Sequence, residues 1–177
     1  MKNTIALILA AGKGTRMKSK LPKVLHKVGG VPMVEQVLRA VKTAGTTSTK
    51  LLLSVFGGET VRDYLGDQAE TVVQQEQLGT GHAVLQAEPL LNGVSGTLLV
   101  TCGDTPLVTT ETFTALVDCH EKSGAAATVL TAHMPDPTGY GRVIRDDKGQ
   151  VVKIVEQKDG TPEELLVDEV NAGYLLL

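Results

Sequence analysis

Apolar positions along this chain come in blocks rather than in alternation. Ile5-Ala6-Leu7-Ile8-Leu9 is unbroken, as expected for a strand at about residues 4–9 that is covered on both faces. After a basic loop, Met33, Val34, Val37, Leu38, Val41 and Ala44 recur at i, i+3/i+4 spacing. They predict a helix with Pro32 as its first residue and Gly45 as its stop. Residues 50–56 read as a second apolar strand broken by Gly57-Gly58, followed by a short helix over about 59–65. Residues 71–75 are a third strand, entering a loop that ends in Gly79-Thr80-Gly81-His82; Ala83, Val84, Leu85 and Ala87 then read as helix until Pro89. A fourth strand at 97–101 delivers Cys102-Gly103-Asp104-Thr105-Pro106. Thr109 or Thr110 caps a helix that turns Phe113, Leu116 and Val117 inward and closes at Gly124, and a fifth strand spans 126–132.

The texture changes after that point. Residues 136–141 form a loop, and 142–145 with 150–155 predict a hairpin turning at Asp147-Lys148-Gly149. Thr161-Pro162-Glu163-Glu164 has the cap, proline and first-turn acids of a helix start, and residues 169–177 return as a strand. Five strand–helix alternations predict an α/β fold, a Rossmann-like, doubly wound and mostly parallel sheet, with a β-rich insertion near 139–160. Residues 1–177 are expected to form one domain, and the apolar, strand-like Tyr174-Leu175-Leu176-Leu177 suggests the N-terminal part of something longer.

Charge singles out one stretch. Residues 1–34 carry Lys2, Lys13, Arg16, Lys18, Lys20, Lys23 and Lys27 but no acid, the first being Glu35. The positive cluster surrounds Leu9-Ala10-Ala11-Gly12-Lys13-Gly14-Thr15-Arg16-Met17, a glycine-rich turn leaving a buried strand. Such a turn lets backbone N–H groups approach a phosphate closely, and the charge suits a polyanion. Two common phosphate motifs fail here. A P-loop would need glycine at Leu7, and the dinucleotide fingerprint meets Met17 in place of its third glycine.

Composition removes other classes. Hydrophobic residues make up 42% and charged residues 21%, as in a soluble globular protein, and 177 residues suffice to bury roughly 70% of the unfolded surface. A net charge of −3, no Trp and five Phe and Tyr together argue against nucleic-acid binding. Cys102 and Cys119 are too few for a disulfide framework or a four-ligand zinc site, and His26, His120 and His133 lack metal-site spacing. The N-terminus imitates a signal peptide, but its apolar core is short and runs into a basic glycine loop, and no stretch approaches transmembrane length. A cytoplasmic protein without a membrane partner is expected.

Ligands of open α/β sheets bind outside the carboxyl ends of the strands. The basic loop, residues 74–81, Gly103-Asp104, and Asn171 with Gly173 fall there. Asp104 can hold Mg²⁺ against substrate phosphates, or is a turn or cap aspartate before Pro106. Gln74 and Gln77 offer amides to a base edge beside the Gly79-Thr80 backbone, or belong to a polar loop in which Thr80 caps a helix. Glu156 and Asn171 suit sugar hydroxyls, or are ordinary polar surface; His82 caps or packs in a first helical turn. No Ser/His/Asp or Cys/His set stands out, which fits phosphoryl chemistry run by positioning and charge rather than by a protein nucleophile.

The stretch 9–17 followed by Leu21-Pro22-Lys23-Val24-Leu25-His26 resembles the signature of the sugar-1-phosphate nucleotidyltransferases. Residues 74–83, 102–107, 136–142, 154–159 and 169–173, in that order, narrow the likeness. They are similar to the uridyltransferase domain of the bifunctional N-acetylglucosamine-1-phosphate uridyltransferase/glucosamine-1-phosphate acetyltransferases. The resemblance implies transfer of uridylyl from UTP to N-acetylglucosamine 1-phosphate, giving UDP-N-acetylglucosamine and pyrophosphate, with Mg²⁺, in peptidoglycan precursor synthesis. By matching position, Leu9, Ala10, Gly12, Gln74, Gly79 and Thr80 would hold uridine, and Ala11, Gln77 and Gly103 are counted with the substrate-binding residues. Arg16 and Lys23 would neutralise the triphosphate, Asp104 would bind the metal, and Gly141, Glu156 and Asn171 would hold the sugar. The family's domain continues past position 177 to an asparagine that shares the metal, then to a β-helix that carries acetyl transfer and usually makes a homotrimer; neither is in this sequence. Val55-Phe56-Gly57-Gly58 stands where the family usually has a glycine–histidine turn. Another base or sugar, or a nucleotide-sugar-binding fragment without catalysis, are the alternatives.

Overall fold

The structure, a computed structural model, describes residues 3–12, 14, 17–54, 58–76 and 78–177, with the backbone alone at 49 and 51–54. Its contacts gather into two compact units, Met1–Thr128 with Leu175–Leu177, and Val129–Tyr174.

In the first unit the apolar N-terminal run forms β1 (Thr4–Ala10), whose Ala6, Leu7 and Ile8 have no exposure at all. A 3-10 turn at Lys23–Leu25 and a minimal hairpin, β2 (Lys27–Val28) and β3 (Val31–Pro32), lead to α1 (Met33–Thr43). Pro32 is the residue before that helix rather than its first turn, because it also closes β3 by pairing with Lys27. The periodic residues Met33, Val34, Val37, Leu38 and Val41 are buried, so the helical stripe packs as its spacing requires. β4 (Ser48–Ser54), α2 (Gly58–Leu65) and β5 (Glu70–Gln74) follow. The next helical stretch divides at Ala87 into α3 (Thr80–Gln86) and α4 (Glu88–Leu91), so Pro89 opens a second turn of helix rather than ending structure. Then come β6 (Thr97–Cys102) and α5 (Thr110–Ser123). The N–H of Thr112 donates to Thr109 Oγ1, which makes Thr109 the cap.

The parallel strands lie in the order β5-β4-β1-β6, with Leu7 of β1 between Lys50 and Val100. Each parallel pair needs a crossover, which the intervening helices supply. The path runs outward from β1 to β4 and β5, then returns to place β6 on the other side of β1. That reversal opens a crevice beyond the carboxyl ends of β1 and β6. The far edge of β6 is covered by Leu175 and Leu176, antiparallel to Val100 and Leu99.

The second unit holds β7 (Thr128–His133), β8 (Arg142–Arg145), β9 (Val151–Val155) and β10 (Glu169–Leu176). β8 and β9 form the expected hairpin, whose turn is set by Asp146: its carboxylate accepts the N–H groups of Lys148 and Gln150 at 2.9 and 2.8 Å. β10 pairs antiparallel with β8, and β7 pairs with β10 instead of extending the parallel set. Thr161 and Glu164 exchange hydrogen bonds as a capping box, at 3.0 and 3.3 Å. Only a 3-10 turn, Glu164–Leu166, follows before β10 begins at Glu169. Among the described residues no helix is long and apolar enough to cross a membrane.

Candidate functional site

The crevice at the strand-order reversal is a cleft of about 280 Å³. Leu9, Ala11 and Gly12 line it after β1, Gln74, Gly79, Thr80 and Ala83 after β5, Cys102 and Asp104 after β6, with Val24 from the 3-10 turn. The convergence follows from topology: three parallel strands end on the same side, and each hands its loop to the same space.

Asp104 is placed by Gly103. The Gly103 N–H donates to the Leu9 carbonyl at 2.9 Å, continuing the β1–β6 ladder by one residue. A side chain there would lie 3.3 Å from Ile8 Cγ2 and 3.4 Å from the Leu9 carbonyl oxygen, so only glycine lets the strand ends approach this closely without displacement. Facing Asp104 is Lys23, whose ammonium donates to Asp104 Oδ2. Pro22, with φ −51° and ψ 136°, leads into the 3-10 turn that Lys23 opens, and Val24 and Leu25 behind it are buried, which anchors its backbone. The basic loop crosses it at Gly14: with φ +59°, a Cβ at that position would stand 2.9 Å from Lys23 Cβ. Lys23 and Asp104 are each about one-third exposed, so the pair is open to solvent. Lys18, Lys20 and Lys27 are exposed.

Burial, and then the Asp104 carboxylate, push the Cys102 thiol above its usual range, so it stays protonated and is no nucleophile. Gln74 is 4% exposed, and its amide nitrogen lies 3.2 Å from His82 Nδ1, while His82 Nε2 lies 3.3 Å from the Gln86 amide nitrogen. The helix starts after Gly79, with no side-chain cap, so Thr80 is its first residue and His82 serves Gln74 instead of capping.

Gly141, Glu156 and Asn171 come together in the second unit. The Asn171 N–H donates to the Gly141 carbonyl at 2.9 Å, and Glu156 Oε1 lies 3.4 Å from where a Cβ at 141 would be. Behind them is Arg142, 2% exposed. Its guanidinium donates to the Tyr140 carbonyl and, at 2.8 Å, to Gln157 Oε1, which also accepts the Gly139 N–H at 3.0 Å. Arg142 Nε is buried without a hydrogen-bond partner.

The sequence-based candidates thus separate into clear groups. Leu9, Ala11, Gly12, Gln74, Gly79, Thr80 and Asp104 line one cleft, and Lys23 is paired to it through Asp104. Ala10 and Gly103 are buried beside the cleft and do not line it. Arg16 and Gln77 lie outside the described residues, as do Val55, Phe56 and Gly57. Sequence reasoning missed Val24, Ala83 and Cys102 in the lining, the His82–Gln86 pairing, and the Arg142–Gln157 tie. The Gly139-Tyr140-Gly141-Arg142 run was its only signal for the last. Among the described residues no three His, Cys, Asp or Glu stand together as a metal cage. The carboxylate of Asp104, partly exposed at the cleft, is the kind of oxygen donor that would suit Mg²⁺.

The chain is 59% identical over 172 residues to the bifunctional protein GlmU of Lactobacillus johnsonii, covering 97% of this chain and 37% of that protein. It is 55% identical over 173 residues to that of Enterococcus faecalis, covering 98% and 38% respectively. It therefore spans little more than a third of the length of these relatives. A UDP-glucose pyrophosphorylase solved with UDP-glucose shares the fold, with a TM-score of 0.77 at 16% identity over 100% of this chain and 76% of that one. The MobA-like NTP transferase domain matches residues 6–159, most of the chain, and the chain belongs to that family.

Proposed function

We propose that this chain carries uridylyl transfer from UTP to N-acetylglucosamine 1-phosphate, giving UDP-N-acetylglucosamine and pyrophosphate. The observation that carries the reading is the Lys23–Asp104 pair in a cleft whose wall is Gln74 and the Gly79-Thr80 backbone. A cation and a carboxylate beside amides suited to a base edge support the binding of a triphosphate with its counter-ion here. The sequence resemblance supplies the base and the sugar.

In this mechanism the sugar phosphate oxygen attacks the α-phosphorus in line and pyrophosphate leaves from the opposite face. Lys23 shifts its ammonium from Asp104 to the phosphates and stabilises the charge that grows on them. Asp104, released, is the carboxylate that would hold Mg²⁺, and the bound ion would supply further neutralisation of the triphosphate. Gln74 and the Gly79-Thr80 backbone orient the uracil. In the second unit Glu156 and Asn171 accept and donate hydrogen bonds to the sugar, with Gly141 leaving it room. The parent protein would act as a cytoplasmic homotrimer in cell-wall precursor synthesis.

The test is pyrophosphate release from UTP and N-acetylglucosamine 1-phosphate. Lys23→Ala is expected to lower turnover roughly 100-fold, the scale of one transition-state donor. Absence of release, or an unaffected variant, overturns the assignment. The second reading is nucleotide-sugar binding without turnover. Calorimetry with UDP-N-acetylglucosamine beside the turnover assay separates the two, and a panel of nucleoside triphosphates and sugar phosphates tests the choice of base and sugar.

A further inference from the structure

His82 stands between two primary amides, and proton counting restricts how they are arranged. The Gln74 amide nitrogen is 3.2 Å from Nδ1 and the Gln86 amide nitrogen 3.3 Å from Nε2. A neutral imidazole has one N–H and one bare nitrogen, so it accepts a hydrogen bond at one side and donates at the other. Two amide N–H groups therefore cannot both be aimed at it; one glutamine turns its carbonyl oxygen to the ring. Amide oxygen and nitrogen are interchangeable in shape, and the hydrogen-bond network decides between them. Gln74 is buried in the cleft wall, whereas Gln86 is half-buried on the last turn of α3 and is the freer of the two to rotate.

We infer that Gln86 accepts from His82 Nε2–H, that the bare Nδ1 accepts from the Gln74 amide, and that His82 is thereby a positioning residue for base selection. The inference rests on the uridine reading above and deepens it. With one N–H held by His82, Gln74 keeps its carbonyl oxygen and second N–H for the cleft. Uracil presents an N3–H between two carbonyls; cytosine presents a bare N3 beside an amino group. An amide carbonyl held toward the ring edge accepts from the first and opposes the second. The reversed relay, in which His82 donates Nδ1–H to the Gln74 carbonyl, turns the amide and removes that preference. The choice between pyrimidines is thus set at Gln86, one ring away from the base.

The test uses the whole chain with UMP and CMP, which need no metal, and reads affinity by calorimetry. Gln86→Lys puts a donor-only group against Nε2, forces the reversed relay, and is expected to reduce the UMP-to-CMP affinity ratio at least roughly tenfold. Gln86→Met leaves the tautomer unfixed and gives a smaller reduction. Nitrogen-15 shifts of the imidazole should show a bare Nδ1 in the wild type and a bare Nε2 in Gln86→Lys, which a purely structural role for Gln86 would not produce. An unchanged affinity ratio in Gln86→Lys, or a bare Nε2 in the wild type, overturns the inference while leaving the uridine reading intact. Binding of neither nucleotide by the wild type overturns the uridine reading and takes the inference with it.

Discussion

Lys23 and Asp104 are 81 positions apart, yet each is held in place by what its neighbours cannot be. Gly14 shows this most directly. Alanine there would meet Lys23 Cβ at 2.9 Å and would have to adopt φ +59°, so Gly14→Ala is expected to move Lys23 off the cleft. The expected outcome is a stability loss of about 1–2 kcal/mol by denaturant titration and a weaker affinity for UTP by calorimetry. In the second unit Glu169 is gripped by Arg145 through two bonds of 2.7 and 2.6 Å, which hold its carboxyl at about 2 against a usual 4.5. A carboxylate with a lowered folded-state value stabilises fully above the unfolded value and progressively less as pH falls toward the folded one. That contribution is therefore complete above pH 4.5 and fades between 4.5 and about 2. Glu169→Gln should lower stability at neutral pH and flatten the acid limb across that window, as urea midpoints from pH 2 to 5 would show. These residue-scale facts were half legible. Asp104 stands out in sequence as a carboxylate after a strand-like run, and Lys23 only as one lysine of an acid-free basic stretch after Pro22; their pairing is a long-range contact that no local pattern encodes.

At the scale of elements, strands and helices were read from periodicity with the right order and nearly the right bounds. β1 and α1 are clear because an unbroken apolar run and a 3.6-residue stripe are strong local signals. The departures have local causes as well. Pro89 suits a first helical turn as well as a stop, and Pro32 is shared with a two-residue strand too short to leave a pattern. Thr161 and Glu164 make a complete capping box, yet the stretch it opens winds only into a 3-10 turn. α5 offers a test of capping itself: Thr109→Ala removes the side-chain acceptor of the Thr112 N–H and should cost about 1 kcal/mol, read as a shift in the denaturation midpoint. The 3.4 Å length of that bond places the effect toward the lower side of the capping range.

For the molecule as a whole, the order β5-β4-β1-β6 is what turns separate loops into one cleft. Periodicity implied a parallel α/β sheet but not which strand lies beside which, since pairing is decided by crossovers and burial across the chain. The same applies to the far edge of β6, where the last residues return antiparallel with mutual Leu98–Leu177 backbone bonds at 2.9 and 3.1 Å. Deleting residues 175–177 would strip that edge and remove Leu176, which has no exposure. A loss of about 2–4 kcal/mol is expected, measurable by chemical denaturation, with aggregation as the accompanying sign of an unpaired strand.

By itself the sequence determined the fold class, the order of elements, the acid-free basic loop and, through its motifs, the kind of substrate to look for. Those properties are local, fixed by turn chemistry, charge and the spacing of apolar side chains. The tertiary structure alone decided that Lys23 meets Asp104, that Gly103 brings β6 against β1, that His82 turns to Gln74, and that buried Arg142 reaches Gln157. Each joins groups from different elements or loops, and such contacts form only once the strands have chosen their neighbours.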